Sequence, residues 1–289
     1  VISSVESQSG EIHKLCLERG EDYWTARHSG KDVSKISELT ELVPYVLLEP
    51  SSHTLVSGPP DGRRKYLDWG VFHVEHSFLT LWRRYNRVLK QRNAALRQSN
   101  LMVVESLDPQ LVEFGEKLHQ QREKHVQVLN EILQTKLPLF NRTLDGIVLS
   151  YRKGWSGESF AEAIQSSNPR DMERGSTGPG PHKADLYFSL NGVAARERLS
   201  RGEQKAMTAA MMMAQAQLIG DAGEKPILML DDLSSELDGE HLDKVLMAGM
   251  ELGSQILLTG TDLTRLTSSC KSSYTTFHVE HGSVTPADT

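Results

Sequence analysis

Ile227-Leu228-Met229-Leu230-Asp231-Asp232 is the stretch on which the fold turns. Four apolar residues followed by two carboxylates describe a buried strand that delivers acid at its C-terminal end, the edge where open α/β sheets bind ligands. There a first carboxylate, Asp231, can hold Mg²⁺, and a second, Asp232, can orient an attacking water. The same six residues also describe a plain strand ending in two solvated acids, and alone they favour neither reading. The neighbourhood decides. Ser234-Ser235-Glu236-Leu237-Asp238 follows at once, and Leu199-Ser200-Arg201-Gly202-Glu203-Gln204 lies about 30 residues upstream. The upstream motif sets Ser200 and Gly202 at the opening of a helix, where free N–H groups make a ready anion site. By itself it reads as a plain helix cap by Ser200. Both motifs, in this order and ahead of an apolar strand ending in Asp-Asp, do not read as coincidence.

Working outward, a helix is expected from about Gly202 to Leu218, strands at Ile227–Leu230 and Ile256–Thr259, and a last strand near Tyr274–Val279. This strand–helix–strand order suggests an α/β sheet. Strands at Val148–Arg152 and Leu186–Leu190 flank a Gly/Ser/Pro-rich stretch, Ser166–Gly180, that reads as a mobile loop. Residues 76–99 form an amphipathic helix, with Phe78, Leu81, Tyr85, Val88 and Leu89 on one face. A second helix is expected to start at Asp108-Pro109, with Asp as N-cap and Pro in the first turn, and to end at Pro138. The two suggest an antiparallel pair, a short helical arm. Nearer the N-terminus, strands are expected at Glu11–Arg19 and Asp22–His28, joined at Gly20, and at Leu42–Leu48, with a Pro/Gly loop at Ser57–Gly62.

Bulk properties narrow the class. Apolar residues make up 38% of the 289 and charged residues 24%, an ordinary globular balance. No apolar run approaches the length that spans a bilayer, so no membrane partner is expected. Cys16 and Cys270 have no metal-ligand spacing and no framework of pairs. The net charge of −6 argues against general polyanion binding but leaves room for a local basic surface. Such a surface exists in the pattern. Arg83, Arg87, Lys90 and Arg97 fall in one stripe opposite the apolar face of their helix, and no acid occurs between Glu75 and Glu105. Clustered cations of this kind are what phosphate neutralisation needs; the plain alternative is a solvated helix face.

At this point the sequence resembles the ABC-type ATPases that include the SMC proteins and RecF. LSRGEQ (199–204) is similar to their signature motif, LMLDD (228–232) to Walker B and SSELD (234–238) to the D-loop. Within that class it resembles the RecF family. Gly180-Pro181-His182-Lys183-Ala184-Asp185-Leu186, Arg63-Arg64-Lys65-Tyr66-Leu67-Asp68 and Leu89-Lys90-Gln91-Arg92-Asn93 each resemble a segment of that family, and the likeness runs from about residue 10 to 285. It implies an ABC-type α/β ATPase head with an inserted antiparallel helical arm: head residues 1–75, arm 76–137, head 138–289. It further implies ATP clamped between two heads as an ATP-dependent homodimer. Asp231 would hold Mg²⁺ and Asp232 the water. Ser200, Arg201, Gly202 and Gln204 would meet ATP, and Asp238 would cross the interface. The switch position falls on Thr259 or Thr261, with Thr261 carried forward.

Two departures stand out. No G-x-x-x-x-G-K-[ST] occurs; at the nearest dipeptide, Gly30-Lys31, Thr25 and Asp32 occupy the positions of the first Gly and the Ser/Thr. In the family that loop precedes everything seen here. The chain, which opens on Val1, is therefore read as N-terminally truncated, and tight nucleotide binding is not expected of it. Asp232 also stands where many ABC ATPases have Glu. The resemblance implies a cytoplasmic DNA repair, recombination and replication protein of the SOS response. It would bind double- and single-stranded DNA at gaps or junctions, hydrolyse ATP slowly, and promote RecA loading with RecO and RecR. Two competing readings are a non-catalytic SMC-like interaction module and another small SMC-like nuclease or transporter subunit.

Overall fold

In the computed structural model the first thirty residues build an antiparallel meander, β1 (Ile2–Glu6), β2 (Ile12–Arg19), β3 (Trp24–His28) and β4 (Lys31–Val33). The structure describes every residue except 1, 8, 22, 224, 234–236, 263, 265, 267–269, 271–272 and 287–289. The two expected strands are β2 and β3, with Cys16 opposite Arg27. Ser29 and Gly30 both take positive φ, 48° and 85°, in the two-residue turn to β4, the geometry that matches strand twist in a tight hairpin.

A short helix α1 (Ile36–Leu42) leads to β5 (Tyr45–Leu48), followed by α2 (Thr54–Ser57) and α3 (Pro60–Val74). The expected loop at Ser57–Gly62 is thus largely helical. Pro60 stands at the first helical position, where its missing N–H has no partner to lose, and Tyr66, Leu67, Gly70 and Val71 give α3 a buried face. Next come α4 (Phe78–Arg97) and α5 (Leu101–Phe140). Helix α4 matches the expected one. Helix α5 does not start at Asp108-Pro109: it begins seven residues before Asp108, capped by the Asn100 side chain, which accepts from Val103 N–H at 3.2 Å. It runs through both Pro109 and Pro138. Asp108 instead accepts a hydrogen bond from Arg92 Nε at 2.7 Å, and Val104 and Leu111, both fully buried, hold the helix on either side of Pro109.

Strand β6 (Ile147–Arg152) precedes α6 (Phe160–Arg174), which occupies half of the stretch read as a mobile loop. Ser159 caps it by accepting from Glu162 N–H, and Phe160 and Ile164 anchor it in the core. Then follow β7 (Asp185–Leu190), β8 (Val193–Ala194), α7 (Ala195–Arg198) and α8 (Arg201–Ala222). The last elements are β9 (Ile227–Leu230), α9 (Gly239–Glu251), β10 (Ile256–Leu258) and the hairpin β11 (Phe277–Glu280) and β12 (Ser283–Pro286).

Strands β10, β9 and β5 form a parallel sheet in that order, with Leu258, Leu230 and Leu48 level with one another. One face (Val46, Leu48, Leu228, Leu230) is buried; the other leaves Leu47, Met229 and Leu257 exposed in a row. Helix α8 is the centre of the molecule. Ala206, Met207, Ala209, Ala210, Met211, Met213 and Ala214 are all fully buried, so apolar residues surround it, as a helix covered on every side requires. It packs on β5, α3 and α5, and its small alanines permit close approach. The core runs unbroken from the sheet through α8 into α5 and α4, so the helical pair shares its core with the head.

Candidate functional site

Asp231 extends the ladder one residue beyond β9, its N–H donating to the Leu48 carbonyl at 2.9 Å. Thr259 leaves β10 at the same level, its N–H donating to the Leu230 carbonyl at 2.9 Å. The Thr259 hydroxyl donates to Asp231 Oδ1 at 2.5 Å and accepts from Asp232 N–H at 3.1 Å. One hydroxyl thus fixes the carboxylate of one acid and the backbone of the next. Asp232 is left-handed, at φ 47°, a conformation that Asp tolerates better than most residues. Asp231 stands exposed and Asp232 half-buried. Of the two threonines left open by the sequence, Thr259 is the one that bonds Asp231. Thr261, two residues further out, lies exposed in a bend beyond the strand. Ser234, Ser235 and Glu236 lie outside the described residues.

The second half of the site is the opening of α8. Ser200 caps the helix: its hydroxyl accepts from Glu203 N–H at 3.3 Å, while Glu203 accepts from Ser200 N–H at 2.8 Å. Hydrogen bonds from the Thr143 and Ser200 hydroxyls hold the Glu203 carboxyl below its usual range. Gln204 donates to the Leu199 carbonyl at 3.0 Å, which orders the turn before the cap. The plain capping reading of Ser200 is therefore correct locally. It still leaves the N–H groups of Arg201 and Gly202 without an acceptor among the described residues. Ser200, Arg201 and Gly202 are exposed, and no atom lies within 4 Å of where a Gly202 Cβ would stand. Asp238 caps α9 in the same manner, accepting from His241 N–H at 2.9 Å and pairing with His241 Nδ1 at 2.8 Å. The backbone bond from His241 is the main reason its carboxyl is held below the usual range.

The two halves are far apart in one chain. Helix α8 is 22 residues long, about 33 Å. Gly220, near the far end of α8, stands against Pro226, a Cβ there lying 3.8 Å from its Cδ, and the four residues of β9 that follow span about 13 Å. The opening of α8 is thus about 28 Å from Gly220, whereas Asp231 is at most about 17 Å from Pro226, so the two do not come level in one chain.

The segments 63–68, 85–93 and 180–186 meet in space. Arg63 forms a two-bond pair with Asp185 (2.7 and 3.1 Å), and Arg64 donates to the Ala184 carbonyl at 3.0 Å. Asp68 accepts from Arg122, which also donates to the Pro181 carbonyl at 2.7 Å. His182 Nε2 donates to the Thr177 carbonyl at 3.1 Å, so its Nδ1 accepts from the Tyr85 hydroxyl at 2.7 Å. Burial pushes His182 down to about 4, which keeps this neutral arrangement. Gly180, at φ 143°, has no room for a side chain, since a Cβ would stand 2.6 Å from that hydroxyl. Buried Arg92 and Arg122 were not legible as a pinning system, because single arginines in amphipathic helices usually face solvent.

Arg83, Arg87, Lys90 and Arg97 all lie exposed on α4, with Arg83 donating to the Ser37 hydroxyl at 3.0 Å. Among the described residues no group of three or more His, Cys, Asp or Glu could hold a metal alone, and no helix is long and apolar enough to cross a membrane.

No protein-family model matches the chain. A DNA replication and repair protein RecF from Xanthomonas euvesicatoria pv. vesicatoria is 39% identical over 271 residues, covering 92% of this chain and 73% of the relative. A RecF from Thioalkalivibrio sulfidiphilus is 36% identical over 292 residues, covering 100% and 81%. A solved structure of the recombination mediator protein RecF with ATPrS matches the fold at a TM-score of 0.87 and 21% identity, over 99% of this chain and 80% of that one. The expected ABC-type ATPase head is therefore the fold observed. With its capped turn at the opening of α8, its strand-end acids and its three interlocked segments carried on that fold, the chain belongs to the RecF family of DNA replication and repair proteins.

Proposed function

We propose that this chain supplies both complementary halves of an ATP-gated dimer clamp that acts on DNA during repair and recombination. What supports the reading is that the opening of α8, about 28 Å from the Gly220–Pro226 contact, does not come level with Asp231, at most about 17 Å from it. Two copies placed head to tail would bring one chain's Ser200 and Gly202 to the other chain's acids.

The residues present suit the groups such a clamp needs. Asp231, an exposed carboxylate whose Oδ1 is already oriented by Thr259, suits Mg²⁺, which is commonly held by one or two carboxylates plus phosphate and water. When bound, the ion would neutralise charge on the β- and γ-phosphates. Asp232 orients the attacking water and accepts its hydrogen bond. The Ser200 hydroxyl and the Arg201 and Gly202 amides receive phosphate oxygens from the partner copy, Gln204 braces that turn, and Asp238 crosses the interface. Thr259, rather than Thr261, takes the switch position on this geometry. The basic stripe of α4 meets phosphate of double- or single-stranded DNA. RecO- and RecR-type mediators, RecA loading, the SOS response and a cytoplasmic setting complete the reading.

The test is sedimentation of the chain joined at its N-terminus to the P-loop segment of a RecF relative. The reading expects monomer without nucleotide and dimer with ATP and Mg²⁺. A species that stays monomeric at saturating ATP contradicts it.

A further inference from the structure

We infer that the C-terminal turn of α6 joins α4 in a single duplex-binding face, with Arg170 and Arg174 as phosphate contacts beside Lys90 and Arg97. The inference rests on the DNA-binding reading above and adds a second helix to it.

The packing comes first. Arg92 is fully buried where α4, α5 and α6 meet. Its Nη1 donates to Asp171 and Thr177 at 2.9 Å each, its Nε to Asp108 at 2.7 Å, and its Nη2 to Asn168 Oδ1. Asp171 and Asn168 both belong to α6, so that helix cannot slide or roll on α4 without leaving a buried guanidinium unpaired. This fixes which flank of α6 is free. With Asp171 turned inward, residues 170 and 174 fall together on an outer flank, four apart and one turn in line. Arg170 and Arg174 are both exposed.

The same packing sets the end of α6 beside the α4 stripe. Gly175 ends α6 in the left-handed conformation, φ 65°, and lies against α4: a Cβ there would stand 3.0 Å from Arg97 Cγ. Arg174 therefore enters the last turn of α6 next to the end of the stripe. Asn93, between Lys90 and Arg97 on α4, accepts from Thr177 N–H at 2.8 Å and from its hydroxyl, which ties the segment leaving α6 to the stripe helix.

Charge gives the surface its partner. Some exposed cations elsewhere sit in ion pairs, among them Arg27 with Asp32, Lys117 with Glu113 and Lys124 with Glu75, while others among the described residues, such as Lys14 and Lys31, stand singly. Among the described residues Arg87, Lys90, Arg97, Arg170 and Arg174 have no acid within ion-pair distance. Unneutralised cations gathered on two packed helices, in a chain of net charge −6, select a polyanion over a random contact. Cations on two packed helices can follow the two phosphate strands that border a DNA groove. A single row suits one strand equally well; two rows select the duplex.

A local alternative exists for Arg174. A cation in the last turn of a helix is favoured by the helix dipole alone. That role would show in stability and leave DNA binding untouched. Glu173, exposed on the same turn, supplies the opposite control.

The experiment is a fluorescence-anisotropy titration of the 289-residue chain with a short blunt DNA duplex and with the matching single strand, over a series of KCl concentrations. Arg170→Gln with Arg174→Gln is expected to weaken duplex binding about tenfold and to lower the slope of log affinity against log salt by about two, with the thermal midpoint little changed. Glu173→Gln should tighten duplex binding, and Lys31→Gln, on the distant meander, should leave it unchanged. If the double variant binds with wild-type affinity and slope while Arg87→Gln with Lys90→Gln weakens binding, the α6 contact is wrong and the α4 reading stands. If the chain binds the single strand but not the duplex, the two-row face is wrong. If neither nucleic acid binds, the DNA-binding reading falls and this inference with it.

Discussion

Asp232 and Asp231 sit one residue apart yet should fail differently when neutralised. Asp232→Asn keeps size and backbone and removes the charge that orients water. In the chain joined to a P-loop segment, nucleotide and Mg²⁺ should still bind while turnover stalls. Asp231→Asn should weaken the metal site, so binding and closure both suffer. Two merely solvated acids would instead change little, within about 0.5 kcal/mol. Steady-state turnover together with nucleotide affinity separates these outcomes. Thr259→Val removes the hydroxyl that serves both acids, and it should impair turnover more than Thr261→Val. Equal effects would contradict the placement of Thr259. The strand and the two acids at its end were legible in the apolar run Ile227–Leu230, but the run alone left their role open and only the motifs around it pointed to one. The choice of threonine was not, because it depends on β10 ending at Leu258, and sequence places strand ends only to within a few residues.

At the scale of elements, buried charge overrode local signals. Asp108-Pro109 carries every mark of a helix start, yet Asp108 serves Arg92, which also holds Asp171 on α6. No local rule contains that tertiary partner, and the same partner turned an apparent loop into α6. Arg92→Leu should leave Asp171, only 1% exposed, without its cation. A loss of about 3–5 kcal/mol is expected, read as a lowered urea midpoint, and Asp171→Asn in the same background should recover part of it. An unchanged midpoint would contradict the role of the cluster. Acid should also destabilise the fold, through two buried histidines. Burial pushes His125 and His182 down to about 4, below the ordinary value of about 6.5. The unfolded chain takes up those protons first, so stability is complete above the unfolded value and is lost as pH falls from about 6.5 toward 4. Between pH 7 and 5 the loss from His125 should be about 2 kcal/mol. His125→Asn should flatten the dependence in denaturant titrations at the two pH values; an unaltered dependence would count against a buried, neutral His125.

For the whole molecule, what could be read early was the sheet edge and its order of motifs, since Asp after an apolar run and Ser ahead of a helix mark strand and helix ends. What could not be read was how the helices share one core, because α8 is apolar on every side and its pattern names no single neighbour. The chain contains no G-x-x-x-x-G-K-[ST], so by itself it should bind a fluorescent ATP analogue weaker than micromolar. Micromolar affinity in an equilibrium titration would overturn that expectation. The central claim is that each ATP site is shared between two copies, and mixing tests it most directly. In the chain joined to a P-loop segment, Ser200→Arg spoils only the signature half and Asp232→Asn only the acid half. Each variant alone should be inactive. Mixed in equal amounts, they should form dimers in which the intact acids of one copy face the intact Ser200 of the other, and ATP turnover should rise well above that of either variant. A mixture as inactive as its components would contradict the shared site.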